Sequence, residues 1–417
     1  MAFRSEKNKL IVEGDISASD LPRLHAAMHN LTAKQGYSDF ALDFSKCTRA
    51  FAGEMVSIAA RCQSYWKSGV DISLTLPEEE KLNRLFVNSN WAYMIDHQKF
   101  DESRYKGFEQ VPLLRFTDAT EHHLAVNRIL DVLMTALSGF ERHDLTAIEW
   151  AVNEIADNVI NHSESKVGGF VQVTHFKQRK MVEFAVCDVG IGIPGSLRKA
   201  RKDLSKDQEL LDAAIREGVT RDPAIGQGNG LYGTWRITQK SEGEFRIQSG
   251  YSSLTSSVSR GLHVAEEATP FVGTLVVSRI GYQKPIPLSE ALTFRGQPHV
   301  PLGFIDTKYE TDESGNVVFA IKEESVGFGS RTAADPVRRK LRNLASTIKS
   351  GKIKVDFSDV PLVSSSYADE VFGKLFVELG PLEFASKFEF VRIDQLVRQL
   401  IDRAIYQRMS APNQILR

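Results

Sequence analysis

The sequence predicts an α/β protein in three parts, with a different kind of unit between two similar ones. Three observations carry this expectation. At both ends of the chain, short apolar runs alternate with stretches of helical period, the pattern of strand–helix units. The 417 residues, divided by a typical domain of roughly 150, leave room for three domains rather than one. The middle of the chain breaks the alternation with glycine-rich strings beside long apolar segments.

The first region is 1–115. Residues 10–12 read as a strand, after which Ser19 or Asp20 caps a short helix with Pro22 near its first turn. Residues 40–44 read as a buried strand, 54–66 as an amphipathic helix closing at Gly69, and 70–76 as the next strand. PEEEKLNRLF reads as a further helix. The last region, 331–417, repeats the grammar: helix 335–349, strand 353–357, helix 367–379 ending at Gly380, strand 388–393 and a closing helix 394–409. The string DFS occurs at 43–45 and again at 356–358, and in each copy a helix closed by a glycine follows. Element order and spacing together indicate a duplication. Between the copies lie a central region, 116–283, and a connector, 284–330, with several prolines and a hairpin turn expected at ESGN, 313–316.

Composition narrows the function classes. A hydrophobic content of 42% with 25% charged residues is ordinary globular protein. Lys+Arg 52 against Asp+Glu 53 gives a net charge of −1, so no nucleic-acid partner is expected. Cys47, Cys62 and Cys187 are odd in number and widely spaced, which argues against a disulfide framework and against a cysteine zinc site. The N-terminal stretch has no apolar core of signal-peptide length, and no run of 18 apolar residues follows. A soluble, cytoplasmic protein is expected, reaching membranes only through a partner.

Three strings in the central region carry chemistry. In AIEWAVNEIADNVINHSES, Ile148, Ala151, Val152, Ile155 and Val159 make one apolar helix face. Glu154, Asn158, Asn161 and His162 fall on another, with Glu154 and Asn158 one turn apart on the same side. A solvated polar face is the plain alternative, yet two asparagines in mid-helix are poor helix formers. In VEFAVCDVGIGIPGSL a near-continuous apolar run ends in Asp188, followed by Gly190 and Gly192. A carboxylate at a strand tip can accept from the exocyclic amine of a base, and glycines let backbone approach a flat ligand. An ordinary strand-to-turn exit would look the same. In AIGQGNGLYGTWRI, Gly226, Gly228 and Gly230 precede a helix, presenting free N–H groups and a positive dipole end suited to phosphates. No GKS or GKT follows, so this is not a P-loop, and no strand directly precedes it as a dinucleotide fingerprint requires.

Taken in order, these strings resemble the nucleotide site of the GHKL ATPase superfamily, which includes gyrase, histidine kinases and MutL. Glu154 and Asn158 match its N box, DVGIGIP its first glycine box, GQGNGL its second, and Gly273–Thr274 in FVGTLVVS the Gly-Thr that ends the site. The resemblance implies a GHKL-type α/β sandwich (the Bergerat fold), with nucleotide between a helical layer and the open face of a mixed sheet. It implies ATP and Mg²⁺ as cofactors. Asn158 would ligate the metal, Glu154 would orient or deprotonate the nucleophile, and Asp188 would read the adenine amine with help from Thr274 through water. Gly190, Gly192, Gly226, Gly228, Gly230 and Leu231 would shape the pocket, and 196–218 would form a mobile lid.

EHHLAVNRILDVLMTAL leads into the N-box helix as in the anti-sigma-factor serine kinases. It contains His122 and His123 but not the pattern of a phosphoacceptor histidine. Those kinases act on STAS domains, and both flanking regions resemble STAS domains. VDFSDVPLVSSSYADEVFGKL resembles the STAS strand–loop–helix, with Ser364, Ser365 and Ser366 at the turn and Ser365 or Ser366 as the implied phosphoacceptor. A serine cluster there also makes a good N-cap. In the first copy, 313 residues earlier, stand Phe51, Ala52 and Gly53, which cannot be phosphorylated. Three readings follow. The leading one is an ATP-binding regulatory protein that hydrolyses or switches on ATP to control STAS-like modules or a protein partner. The second is a serine/threonine kinase acting on its own or a partner's STAS domain, within the chain or across a homodimer. The third is a non-catalytic scaffold.

Overall fold

The chain begins with a hairpin of β1 (Phe3–Glu6) and β2 (Lys9–Asp15), which turns at Lys7 with φ 53°. A computed structural model of the protein describes residues 3–105, 107, 110–219, 228–301, 303–309 and 311–410. Strand β2 pairs in parallel with β3 (Asp39–Arg49), and β3 in parallel with β4 (Asp71–Thr75), giving a sheet in the order β1-β2-β3-β4. Helix α1 (Leu21–His29) starts from Asp20 with Pro22 in its first turn, after a short 3-10 turn at Ala18–Asp20. Helix α2 (Ala52–Lys67) connects β3 to β4, and α3 (Glu80–Asn88) and α4 (Trp91–Ile95) follow. The Glu79 carboxylate caps α3 by accepting from the N–H groups of Lys81 and Leu82 at 3.1 and 2.6 Å.

A second sheet holds β5 (Gln110–Phe116), β6 (Gly169–Phe176), β7 (Met181–Asp188), β8 (Glu244–Ser257) and β9 (Gly261–Gly281) in the order β5-β6-β7-β9-β8. Every neighbouring pair is antiparallel, so the mixed sheet expected above is not what forms. The cause is connectivity: β9 returns directly from β8 and slots in beside β7, so no parallel crossover is needed. Strand β7 is buried along nearly its whole length, which accounts for its near-continuous apolar run, and the one interrupting charge, Glu183, pairs with Arg279 at 2.5 Å. On one face Ala185 and Cys187, with Phe170, Leu275 and Val277, join a core that also contains Met55, Val56 and Ala59 of α2. Helices α1 and α2 pack on this face, α2 against β6 and β7 and α1 against β9. Polar groups fix the seam: Glu54 pairs with Arg246 at 2.8 Å, and the Trp91 indole donates to Gln172 at 2.7 Å. Helix α5 (Ala119–Ala136) follows β5; on the other face, α6 (Arg142–His162), α7 (Gly192–Leu197), α8 (Asp207–Ala214) and α9 (Gly230–Lys240) supply residues that line the cavity described below. A small hairpin, β10 (Thr293–Phe294) with β11 (Gln297–Pro298), follows.

The chain divides into two compact units. One contains the described residues through 129 together with Ala147–Pro301, and so includes both sheets above; the other contains Leu130–Thr146 and the described residues after 302. The second unit is built on β12 (Val317–Ala320), β13 (Ile353–Asp356) and β14 (Phe388–Val391), parallel and in sequence order. Its long helix Arg331–Thr347, which follows the short helices Phe304–Lys308 and Ile321–Glu324, begins earlier than expected because Ser330 caps it and Pro336 is accommodated inside. Ser365–Ala368 and Lys374–Leu379 continue one another through a π turn, Asp369–Gly373, and Gly380 at φ 80° ends the run. Asp394 caps the last helix, Gln395–Met409. The expected turn at 313–316 is present, with Gly315 at φ 75° and the Asp312 carboxylate accepting from the Ser314 and Asn316 amides. Among the described residues its arms pair in one isolated bridge, Thr311 with Val317, because β12 pairs with β13 instead.

The two flanking α/β regions share their order of three parallel strands. Each DFS string also makes the same turn: Asp43 accepts from the Ser45 amide at 2.9 Å and Asp356 from the Ser358 amide at 3.0 Å. Lys9 pairs with Asp43, and Arg392 with Asp356. The next helices start from Phe51 and Ser364, at the same 313-residue offset. Among the described residues no helix is long and apolar enough to cross a membrane.

Candidate functional site

Helix α6 sends its apolar stripe inward, with Ile148, Ala151, Val152 and Ile155 buried, which leaves the Glu154 side to face a cavity of about 430 Å³ in the first unit. That is the size of a small-molecule site. Glu154, Asn158, Asn161 and His162 all line it; Glu154, Asn158 and His162 are half-buried there, and Asn161 is exposed at its edge. Asp188, Gly192, Gly228, Gly230, Leu231 and Thr274 line it as well. Residues from strings far apart in sequence are thus brought to one place. Gly226 lies outside the described residues.

The buried carboxylate of Asp188 ends β7 directly across the ladder from Thr274 of β9. Its Oδ1 accepts from the Gly190 amide at 2.8 Å. A side chain at Gly190 would overlap the Ser163 carbonyl, so glycine lets the turn after β7 close on the end of α6, where the Ile191 amide donates to the same carbonyl at 2.8 Å. Gly192 has φ 69°, and a Cβ there would come within 2.6 Å of the Ser249 hydroxyl and 2.9 Å of the Gly273 carbonyl. That hydroxyl donates to Gly273 O at 2.8 Å and accepts from the Ile193 amide at 2.9 Å, tying the turn to β8 and β9. Gly230 opens α9 beside Glu154; a Cβ would stand 2.5 Å from Glu154 Oε2. Leu197, Leu210 and Ala214 make a small apolar cluster with Leu231 packed on it, so α7 and α8 cover one side of the cavity.

Electrostatics mark the two central carboxyls. Burial pushes Glu154 up to about 7, with the charge of Asp157 adding to the effect. Burial likewise pushes Asp188 up to about 7 against the opposing pull of the Gly190 and Thr274 amides. Glu154 is therefore poised to exchange a proton near neutrality. Among the described residues no group of three or more His, Cys, Asp or Glu could hold a metal. A divalent cation beside Asn158 would take most of its oxygen ligands from a bound anion and water, the usual arrangement for magnesium.

Several lining residues were not legible in the sequence. Trp150 precedes Glu154 by one turn, and Phe294 and His299 come from the connector hairpin. Ser163 and Ser249 act through the contacts given above. The serine turn lies in the second unit. Ser364 is the helix N-cap, its hydroxyl accepting from the Tyr367 amide at 3.0 Å, and Ser366 bonds to Ser364 at 3.0 Å. Ser365 is exposed.

Residues 333–398 match the family model of a STAS-like domain of unknown function (DUF4325). The match runs from the Arg331–Thr347 helix through β13 and β14 into the last helix. No curated protein matches the chain.

Proposed function

We propose that the first unit binds ATP with Mg²⁺ in a GHKL-type site, and that the chain is a regulatory protein whose nucleotide state controls its STAS-like modules or a protein partner. The observation that carries this reading is the convergence of three separate strings on one cavity. Asp188 and Thr274 stand at one end, Glu154 and Asn158 share the facing helix, and Gly192, Gly228 and Gly230 bring backbone close to the space between. Asp188, once ionised, would accept from the adenine amine. Asn158 would hold Mg²⁺ on the phosphates, and the N-terminus of α9 would face them. Glu154 would orient or deprotonate the nucleophile.

A ligand selective for the native state raises its melting temperature. Millimolar ATP with Mg²⁺ is expected to raise that of the full chain, and Asp188→Ala to abolish the shift. A wild-type chain with no shift would sink the nucleotide reading.

A kinase reading is favoured by one feature, the exposed Ser365 hydroxyl at the start of a helix within the STAS-like match. In that case the ATP site would transfer phosphate to this turn, or to its counterpart in a partner.

A further inference from the structure

The cavity continues past Glu154 to a wall where Phe294 and His299, which belong to none of the three strings, join Trp150 and Tyr232. The C-terminal end of α6 meets the turn after β7 through Ser163, which makes this the Asp188 end. Asn158, Glu154 and Trp150 then follow in steps of about 6 Å along the helix away from it. At the far end the Phe294 ring stacks on Trp150, centroids 6.3 Å apart and planes 29° apart, and contacts Tyr232 of α9 at 6.2 Å and His299 at 6.0 Å. The His299 amide donates to Leu292 O at 2.7 Å, which closes the base of the β10–β11 hairpin. Phe294 and His299 both line the cavity.

Charge gives this wall a task. The described lining residues include the carboxylates of Glu154, Asp157 and Asp188 and no lysine or arginine. Their protonatable nitrogens are those of His162, beside Ser163 at the Asp188 end, and His299 at the other. One Mg²⁺ and the partial positive charge of a helix N-terminus leave a triphosphate anionic, and its last phosphate would lie toward Glu154. We infer that His299 donates to the terminal phosphate of a bound nucleoside triphosphate, held in place by the stack of Phe294 on Trp150. The connector hairpin is then part of the nucleotide site and makes it discriminate triphosphate from diphosphate. This assignment rests on the ATP reading above.

Calorimetric titration of the full-length chain with ATP and with ADP, both with Mg²⁺, tests it. His299→Ala is expected to lose about tenfold or more in ATP affinity with ADP affinity unchanged, the scale of one hydrogen bond to a charged group. His299→Gln, which keeps a donor, should recover part of the loss. Asp188→Ala should weaken both nucleotides alike. Circular dichroism establishes that the variants are folded, and His299 is an exposed residue whose replacement leaves the core intact. A His299→Ala chain with wild-type affinity for both nucleotides, or with equal losses for both, overturns the assignment. A wild-type chain that binds neither nucleotide refutes the ATP reading itself, and the assignment falls with it.

Discussion

Glu154 and Asp188 hold their protons up to about pH 7, whereas their ordinary values are 4.5 and 3.8. Between those limits the folded chain binds more protons than the unfolded one, so the contribution of these groups to stability is full below about pH 4 and is lost as pH rises through 7. The melting temperature of the ligand-free chain should carry a falling component across that window. Glu154→Gln combined with Asp188→Asn should remove it, and an undiminished slope in the double variant would mean that neither carboxyl is desolvated as described. ATP should weaken or reverse this trend for Asp188, because its ionised form is the stronger acceptor from an amine. In turnover, Glu154→Ala should retain nucleotide binding and lose roughly 10²-fold or more, the usual scale for a positioned base; wild-type turnover would remove Glu154 from the mechanism. At this scale the sequence was informative wherever one short string carried both a side chain and its reason, as with Glu154, Asn158 and Asp188. It was silent on Ser249 and Phe294, which meet the site through pairings and loops remote in the chain.

The strands and helices were legible because each carries its own period, and their ends were displaced where caps or partners intervene. Strand β7 shows the limit well. Its near-continuous apolar run announces burial on both faces, but nothing in it says that α2 supplies one of those faces. The start of α2 supplies a second lesson. Position 53 corresponds to Ser366 in the second copy, and a Cβ there would stand 2.8 Å from Arg246 Nη2 and 3.0 Å from Val277 Cγ2. Glycine at this point permits the α2 N-terminus to lie against the five-stranded sheet, with Glu54 reaching Arg246 in the next position. The likeness of the two flanking regions is thus one of element order and of the DFS turn, while their difference at this position follows from what the α2 end packs against. Gly53→Leu should cost about 1–3 kcal/mol, as overpacking does, read as a lower denaturant midpoint. An unchanged midpoint would show that the helix end does not approach the sheet this closely.

For the whole molecule, the nucleotide reading proposed above leaves a choice between releasing phosphate to water, handing it to a serine, and keeping nucleotide as a structural ligand. The second unit narrows the acceptor. Ser364 is occupied as a helix cap and Ser366 is bonded to it, whereas Ser365 is exposed, so a transfer to this turn would fall on Ser365. Phosphate there would add roughly −1.5 to −2 charge at a helix start, where the dipole favours it and where a partner would meet a reversed local surface. The regulatory reading makes a different prediction. Incubating the full-length chain with radiolabelled ATP and Mg²⁺ should yield free phosphate at a rate set by Glu154, with intact mass unchanged and peptide mapping finding Ser364, Ser365 and Ser366 unmodified. Label confined to Ser365, and lost in Ser365→Ala while ATP binding persists, would replace the switch with a kinase. Label on neither product, in a chain whose melting temperature still rises with ATP, would leave nucleotide as a structural ligand and make the protein a scaffold.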